Sequence, residues 1–176
     1  MTLIVTAEGL TGRADFRGRV YRCAVGRGGI AADKTEGDGV SPVGEFDILT
    51  VLYRPERGAP TKTSVEIAPI TATDGWCDDP SHADYNRLVT LPHAASCEKM
   101  WRKDGLYNLV VVTSYNSDPV NPNAGSAIFL HLAGGPSYPP TAGCIAFARD
   151  DLETILQEWV PGEDRLVIAL SGSSLS

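Results

Sequence analysis

Along the chain, apolar residues gather in short runs, several with apolar and polar positions alternating, and almost every run is bounded by Gly, Pro, Asn or Asp. Runs of this kind read as β-strands at 2–7, 19–25, 44–53, 64–70, 87–91, 106–115, 127–132, 144–148 and 165–170. The 18 Gly and 12 Pro punctuate them, as turns in a mostly antiparallel β domain require. A single segment has strong helical periodicity. In DDLETILQEWVPG, Leu152, Ile155, Leu156 and Trp159 share one face, Asp150 and Glu153 resemble a capping box, and Pro161-Gly162 ends the run. A weaker helical turn is expected over 94–102, where Cys97 and Trp101 would share a face. The pattern predicts a mainly β fold, an antiparallel sandwich or barrel-like domain over 1–170, with one principal helix at 150–160 and a frayed tail at 171–176. The stretch 71–92 is polar and turn-rich yet carries Trp76, His82 and Tyr85. It is expected to be a long structured loop, either a connection pinned by its aromatics or a cap over a surface cleft.

Composition narrows the function. A chain of 176 residues fits one domain and buries about 70% of its unfolded surface, so it does not depend on disulfides for a core. Lys and Arg number 15 against 22 Asp and Glu, a net charge of −7, which disfavours a phosphate backbone and excludes nucleic acid as the expected partner. No apolar run approaches the roughly 18 to 20 residues of a membrane span. The first apolar stretch, 3–7, is too short for a signal peptide and has no basic residue ahead of it, so no export signal is visible. The four cysteines, Cys23, Cys77, Cys97 and Cys144, form no CxxC pair, which argues against a zinc site and against a dense disulfide framework. Asp38, Asp78, Asp79 and Asp118 lack the spacing of a metal loop. No metal and no cofactor are expected.

Candidate chemistry lies between His131 and Cys144. The run SAIFLHLA carries His131, GGPSYPP crosses over, and TAGCIAF opens the next strand just after Cys144. A cysteine nucleophile needs a base beside it, and two adjacent antiparallel strands would bring these side chains to one end of a sheet. The same residues also read as a small buried hydrophobe and a structural imidazole. Spacing alone leaves both open.

The wider pattern resembles the YkuD-type L,D-transpeptidase family, cysteine enzymes that cross-link bacterial peptidoglycan on a β-rich catalytic domain. In KTEGDGVSPVGEFDIL, 34–49, a G-x-[ST]-P-x-G turn leads into a strand; FLH, ending at His131, and TAGCIAF, 141–147, look like the catalytic His and nucleophile motifs. GWCDDP, YNRLVTLP and MWRKDGLYNLVVV look like the short proteobacterial branch. The better-known branch has His between the Ser or Thr and the Gly of the nucleophile motif and often Arg or Asn two places after the Cys; here those positions are Ala142 and Ala146.

The resemblance implies that Cys144 attacks the carbonyl of an L-centre in a donor stem peptide, that an acceptor amine resolves the thioester, and that His131 is the general base keeping Cys144 ionised. It implies oxyanion donors at the Gly143 and Cys144 N–H groups, while Thr141 is either an added hydroxyl or a turn residue. Lys34, Arg87 and Arg102 are candidate clamps for substrate carboxylates, and Trp76, Tyr115 and Tyr138 candidate cleft walls. The implied partners are peptidoglycan stem peptides, donor and acceptor, met by a monomer in the periplasm or cell envelope. The product would be a diaminopimelate–diaminopimelate cross-link, 1,3 or 3,3, and a carbapenem should acylate the thiol. Two alternatives stay open: a carboxypeptidase or endopeptidase using the same dyad, and a non-catalytic wall-binding module.

Overall fold

The computed structural model describes residues 1–60 and 62–172. Alternation decides the first strands. In β1 (Thr2–Glu8) Leu3 and Val5 turn inward, and in β2 (Thr11–Phe16) Gly12, Ala14 and Phe16 do so while Thr11 and Arg13 face water. Then follow β3 (Arg19–Ala24), β4 (Ile30–Ala31), β5 (Ser41–Pro42), β6 (Gly44–Phe46) and β7 (Ile48–Tyr53). The middle of the chain supplies β8 (Ile67–Pro69), β9 (Asp74–Cys77), β10 (Leu88–Thr90), β11 (Cys97–Lys99) and β12 (Leu109–Thr113). Last come β13 (Phe129–Leu132), β14 (Ile145–Phe147), α1 (Arg149–Glu158) and β15 (Arg165–Ile168). Strand accounts for 37% and helix for 9%, so the fold is mainly β with one α-helix, as the pattern predicts.

The strands form a 10-stranded curled sheet in the order β6-β15-β1-β2-β3-β14-β13-β12-β7-β8 and a 3-stranded antiparallel sheet in the order β10-β9-β11; β4 and β5 pair separately. Among the described residues of the large sheet, only β15/β1, β13/β14 and β7/β8 are parallel. β12 shows why its sequence is apolar throughout: Leu109 and Val111 enter one core, Val110 and Val112 the other. The first core is closed by α1 through Leu152, Ile155 and Leu156, with Trp159 stacked on Phe16 at a centroid distance of 5.7 Å. The second contains Trp76, Met100, Tyr107, Phe129 and Cys144, which places the candidate nucleophile at its edge.

Three local expectations are corrected. Residues 94–102 contain β11 rather than a helical turn, because pairing with β9 offers their backbone a ladder. The capping box is absent: Ala148 is the N-cap without a side-chain bond, and Glu153 instead accepts from Arg149 at 2.8 Å. The run at 44–53 breaks at Asp47, whose N–H donates to the Ser114 hydroxyl at 2.9 Å beside a register shift in β12. At the C-terminus, the Ser171 hydroxyl donates to Ala7 O at 2.5 Å, and the rest of the expected tail, 173–176, lies outside the described residues.

Candidate active site

β13 and β14 lie side by side in parallel, with His131 opposite Ala146. The antiparallel arrangement expected from the spacing is therefore corrected, since the crossing between the strands is long enough to reverse the chain. Cys144 precedes Ala146 by two positions, which puts its side chain on the same sheet face as His131. Both line a cavity of about 520 Å³, with the crossing segment supplying Gly134, Pro139, Pro140, Thr141 and Ala142 to its rim.

The loop that carries Cys144 is held from below. Thr141 bridges to Gly26, the Arg27 N–H donates to Thr141 O at 2.9 Å, and the Thr141 N–H donates to Val25 O at 3.0 Å. Ser41, wholly buried, accepts from the Gly26 N–H at 2.9 Å and donates to Gly143 O at 2.7 Å. Gly143 has φ +138°, and a Cβ there would meet Val40 O at 2.8 Å, so only glycine fits this close approach. The Thr141 hydroxyl accepts from the Gly143 N–H at 3.1 Å and donates to Cys144 O at 2.6 Å. It is engaged within the turn.

Cys144 is 7% exposed; its thiol donates to Ala127 O at 3.1 Å and accepts from the Phe129 N–H at 3.4 Å. Burial pushes this thiol up to about 12, with Glu98 adding to the rise and the Phe129 N–H, Lys34 and Arg102 opposing it. His131 Nδ1 lies 2.8 Å from Leu132 O, which fixes it as the N–H donor and leaves Nε2 with its lone pair. The Tyr107 ring packs edge-on to the imidazole at 5.4 Å, and the Tyr107 hydroxyl donates to Glu98 at 2.7 Å. Burial brings His131 down to about 4, partly offset by the Leu132 carbonyl. Burial thus favours the neutral form of both groups, whereas the resemblance implies a thiolate at Cys144.

Residues 10–168 match the YkuD family, the L,D-transpeptidase catalytic domain. The chain belongs to that family. Bd1075 of Bdellovibrio bacteriovorus has a solved structure similar to this chain at 13% identity, covering 95% of this chain and 47% of that one with a TM-score of 0.43. This YkuD domain thus spans about half the length of that protein. No curated protein matches the sequence.

The other residues singled out in this YkuD domain divide sharply. Lys34 and Arg102 line the cavity. Lys34 is paired with Asp38 at 2.6 Å, and Arg102 bonds Glu98 at 3.0 Å and lies over Tyr107. Arg87 is exposed and is not among the lining residues. Trp76 is buried edge-on to Phe129 at 4.9 Å; Tyr115 packs on Phe46 and donates its hydroxyl to Ala124 O. Tyr138 lines a neighbouring depression, with Arg22 over its ring at 4.6 Å.

The sequence reading gives no site role to several residues that are found here. Glu36, Asp78, Glu98 and Tyr107 line the cavity, and Ser41 supports it. Asn86, inside the supposed loop, accepts from both Trp76 Nε1 and the Ala127 N–H at 2.9 Å. It also donates to Tyr115 O at 3.0 Å and Asn116 O at 2.8 Å. Asn86 thereby fixes Ala127, held at φ 55°, whose carbonyl faces the thiol. The quoted motifs YNRLVTLP and MWRKDGLYNLVVV contain Asn86 and Tyr107, but their partners are distant in sequence.

Proposed function

We propose that this domain is a peptidoglycan L,D-transpeptidase that joins diaminopimelate residues, in 1,3 or 3,3 linkage, through a thioester on Cys144. The observation that carries the reading is the meeting of Cys144 and the free Nε2 side of His131 in one cavity. Because both groups rest neutral, the Cys144 proton passes to His131 Nε2 as sulfur attacks the donor carbonyl. The Cys144 N–H is the proposed oxyanion donor; the Gly143 N–H is already bonded to Thr141. The imidazolium then protonates the departing amine, leaving the thioester. An acceptor amine attacks next, His131 takes its proton, and the thiol is restored when the tetrahedral intermediate collapses.

The walls suit a zwitterionic substrate. Lys34 and Arg102 offer cations to carboxylates, while Glu36, Asp78 and Glu98 offer anions to an ammonium group. The segment 71–92 contributes Asp78 to the wall, and its Tyr85 hydroxyl donates to Glu36 at 2.5 Å. It is proposed as the cap that limits acceptor access. A peptidoglycan substrate supports a location in the periplasm or cell envelope.

Purified protein incubated with disaccharide-tetrapeptide tests the reading. Cross-linked dimer, with fragmentation locating the bond, is expected, and none from Cys144→Ala. Shortened stems without dimer would indicate a hydrolase. Unchanged muropeptides would favour a binding module.

A further inference from the structure

A second group of reactive side chains lies outside the dyad, on the small sheet. β9 and β11 run antiparallel with Cys77 directly opposite Cys97. The adjacent Asp78 N–H donates to Ser96 O at 3.1 Å, which makes the cysteine pair a non-hydrogen-bonded one, the register in which facing side chains come closest. Both are free thiols, Cys77 buried and Cys97 partly so. Into this pair comes His93, from the connection between β10 and β11. One ligand atom from each of Cys77, His93 and Cys97 lies within 4.8 Å of the others. His93 also belongs to a second such triad with His82 and Asp84, and its Nε2 is 3.2 Å from Asp84 Oδ2.

We propose that Cys77, Cys97 and His93 supply three ligands of a zinc site beneath the wall of the cleft, with a water molecule as the fourth and Asp84 bonded to the His93 imidazole. Zinc bonds of about 2.3 Å to sulfur and 2.0–2.1 Å to nitrogen place the corners of a tetrahedron roughly 3.3–3.8 Å apart. Atoms that lie within 4.8 Å of one another reach that spacing by a contraction of up to about 1.0–1.5 Å. Two thiolates and an imidazole select zinc over magnesium or calcium. A carboxylate beside the imidazole is the partner that orients a metal-bound histidine. Binding forms two metal–sulfur bonds and releases the two thiol protons to solvent, with no change of oxidation state.

The site has a structural reason. β9, β10 and β11 are only 4, 3 and 3 residues long, so few ladder bonds hold them together. Yet this sheet and its flanks deliver Asp78, Glu98 and Arg102 to the cavity. A metal tying β9 to β11 and to the His93 connection would fix that wall.

The test uses the whole reduced protein, stripped of metal and titrated with cobalt(II), then zinc. One equivalent of cobalt should give intense tetrahedral d–d absorption and a thiolate charge-transfer band, both removed by zinc. Cys77→Ser and Cys97→Ser should lose the charge-transfer intensity, and His93→Ala should bind at least about tenfold more weakly. Cys144→Ala and Cys23→Ala should behave like wild type. Zinc should also raise the thermal midpoint of wild type but not of His93→Ala, a readout that stands even where a cysteine variant folds poorly. Weak octahedral absorption, a spectrum lost in Cys144→Ala, or a purified protein with a Cys77–Cys97 disulfide and no metal would overturn the proposal.

Discussion

An uncharged resting dyad makes a sharp kinetic prediction. With Cys144 held at about 12 and His131 at about 4, thiol and imidazole are both neutral across the physiological range. At pH 7 the thiolate is then about one part in 10⁵, against about 3% for a free cysteine of pKa about 8.5, a deficit of roughly three thousandfold. Alkylation of Cys144 by iodoacetamide in the substrate-free protein should accordingly be about a thousandfold or more slower than that of glutathione. It should rise about tenfold per pH unit, with no plateau between about pH 5 and 9. The low exposure of the sulfur slows the reaction too, but only ionisation produces that slope. His131→Gln should leave the alkylation profile nearly unchanged, because the imidazole is not stabilising a resting anion. The same substitution should lower carbapenem acylation and cross-linking by about a hundredfold to ten-thousandfold, since both need a base during attack. Intact-mass kinetics with peptide mapping follow each adduct. A plateau with a midpoint below pH 7 that disappears in His131→Gln would refute the neutral pair and restore a preformed thiolate–imidazolium.

Three further outcomes follow from the same geometry. Because folding lowers His131 from an ordinary value near 6.5 to about 4, the unfolded chain binds the extra proton first, and stability falls as pH drops through that window by up to about 3 kcal/mol. Urea midpoints at pH 7 and 4.5 should therefore move less in His131→Gln than in wild type, and equal movement would contradict the assignment. Ser41→Ala leaves the Gly26 N–H and Gly143 O without their partner, and should cost about 1–3 kcal/mol in denaturant unfolding while lowering kcat more than it raises KM. Trp159→Ala empties the space against Phe16 and α1 and should cost about 3–5 kcal/mol, with kcat of the folded protein unchanged; a fall in kcat would show that the first core also positions the site.

What is legible in the sequence is what depends on local periodicity. The stripe of Leu152, Ile155, Leu156 and Trp159 specifies a helix and its buried face, and both are found. The inward alternation of Leu3 and Val5 in β1 is equally direct. β2 escapes because its inward positions, Gly12, Ala14 and Phe16, alternate with charged and polar residues and include two small ones, so the apolar signal is weak although the burial is complete. β9 and β11 escape for a different reason: each is too short for a period to register, and each exists through pairing with the other.

The same distinction governs the site. Cys144 and His131 are proposed from contiguous motifs, but the parallel pairing that brings them to one cavity and the burial that favours their neutral forms arise from distant segments. Ser41 sits in a recognised turn, yet its acceptor is Gly143, a separation of 102 positions. Among the candidate cations, residue type alone treats Lys34, Arg87 and Arg102 alike; packing brings the first and last to the cavity and leaves Arg87 in water. Cys77 and Cys97 show the strongest form of this effect. Their separation rules out a local CxxC loop, and antiparallel register then creates the juxtaposition that local spacing lacks. Chemical identity is thus a property of single positions, whereas ionisation, ligation and orientation belong to the pairings between segments, which is why Cys144 can be singled out from its motif and its charge state cannot.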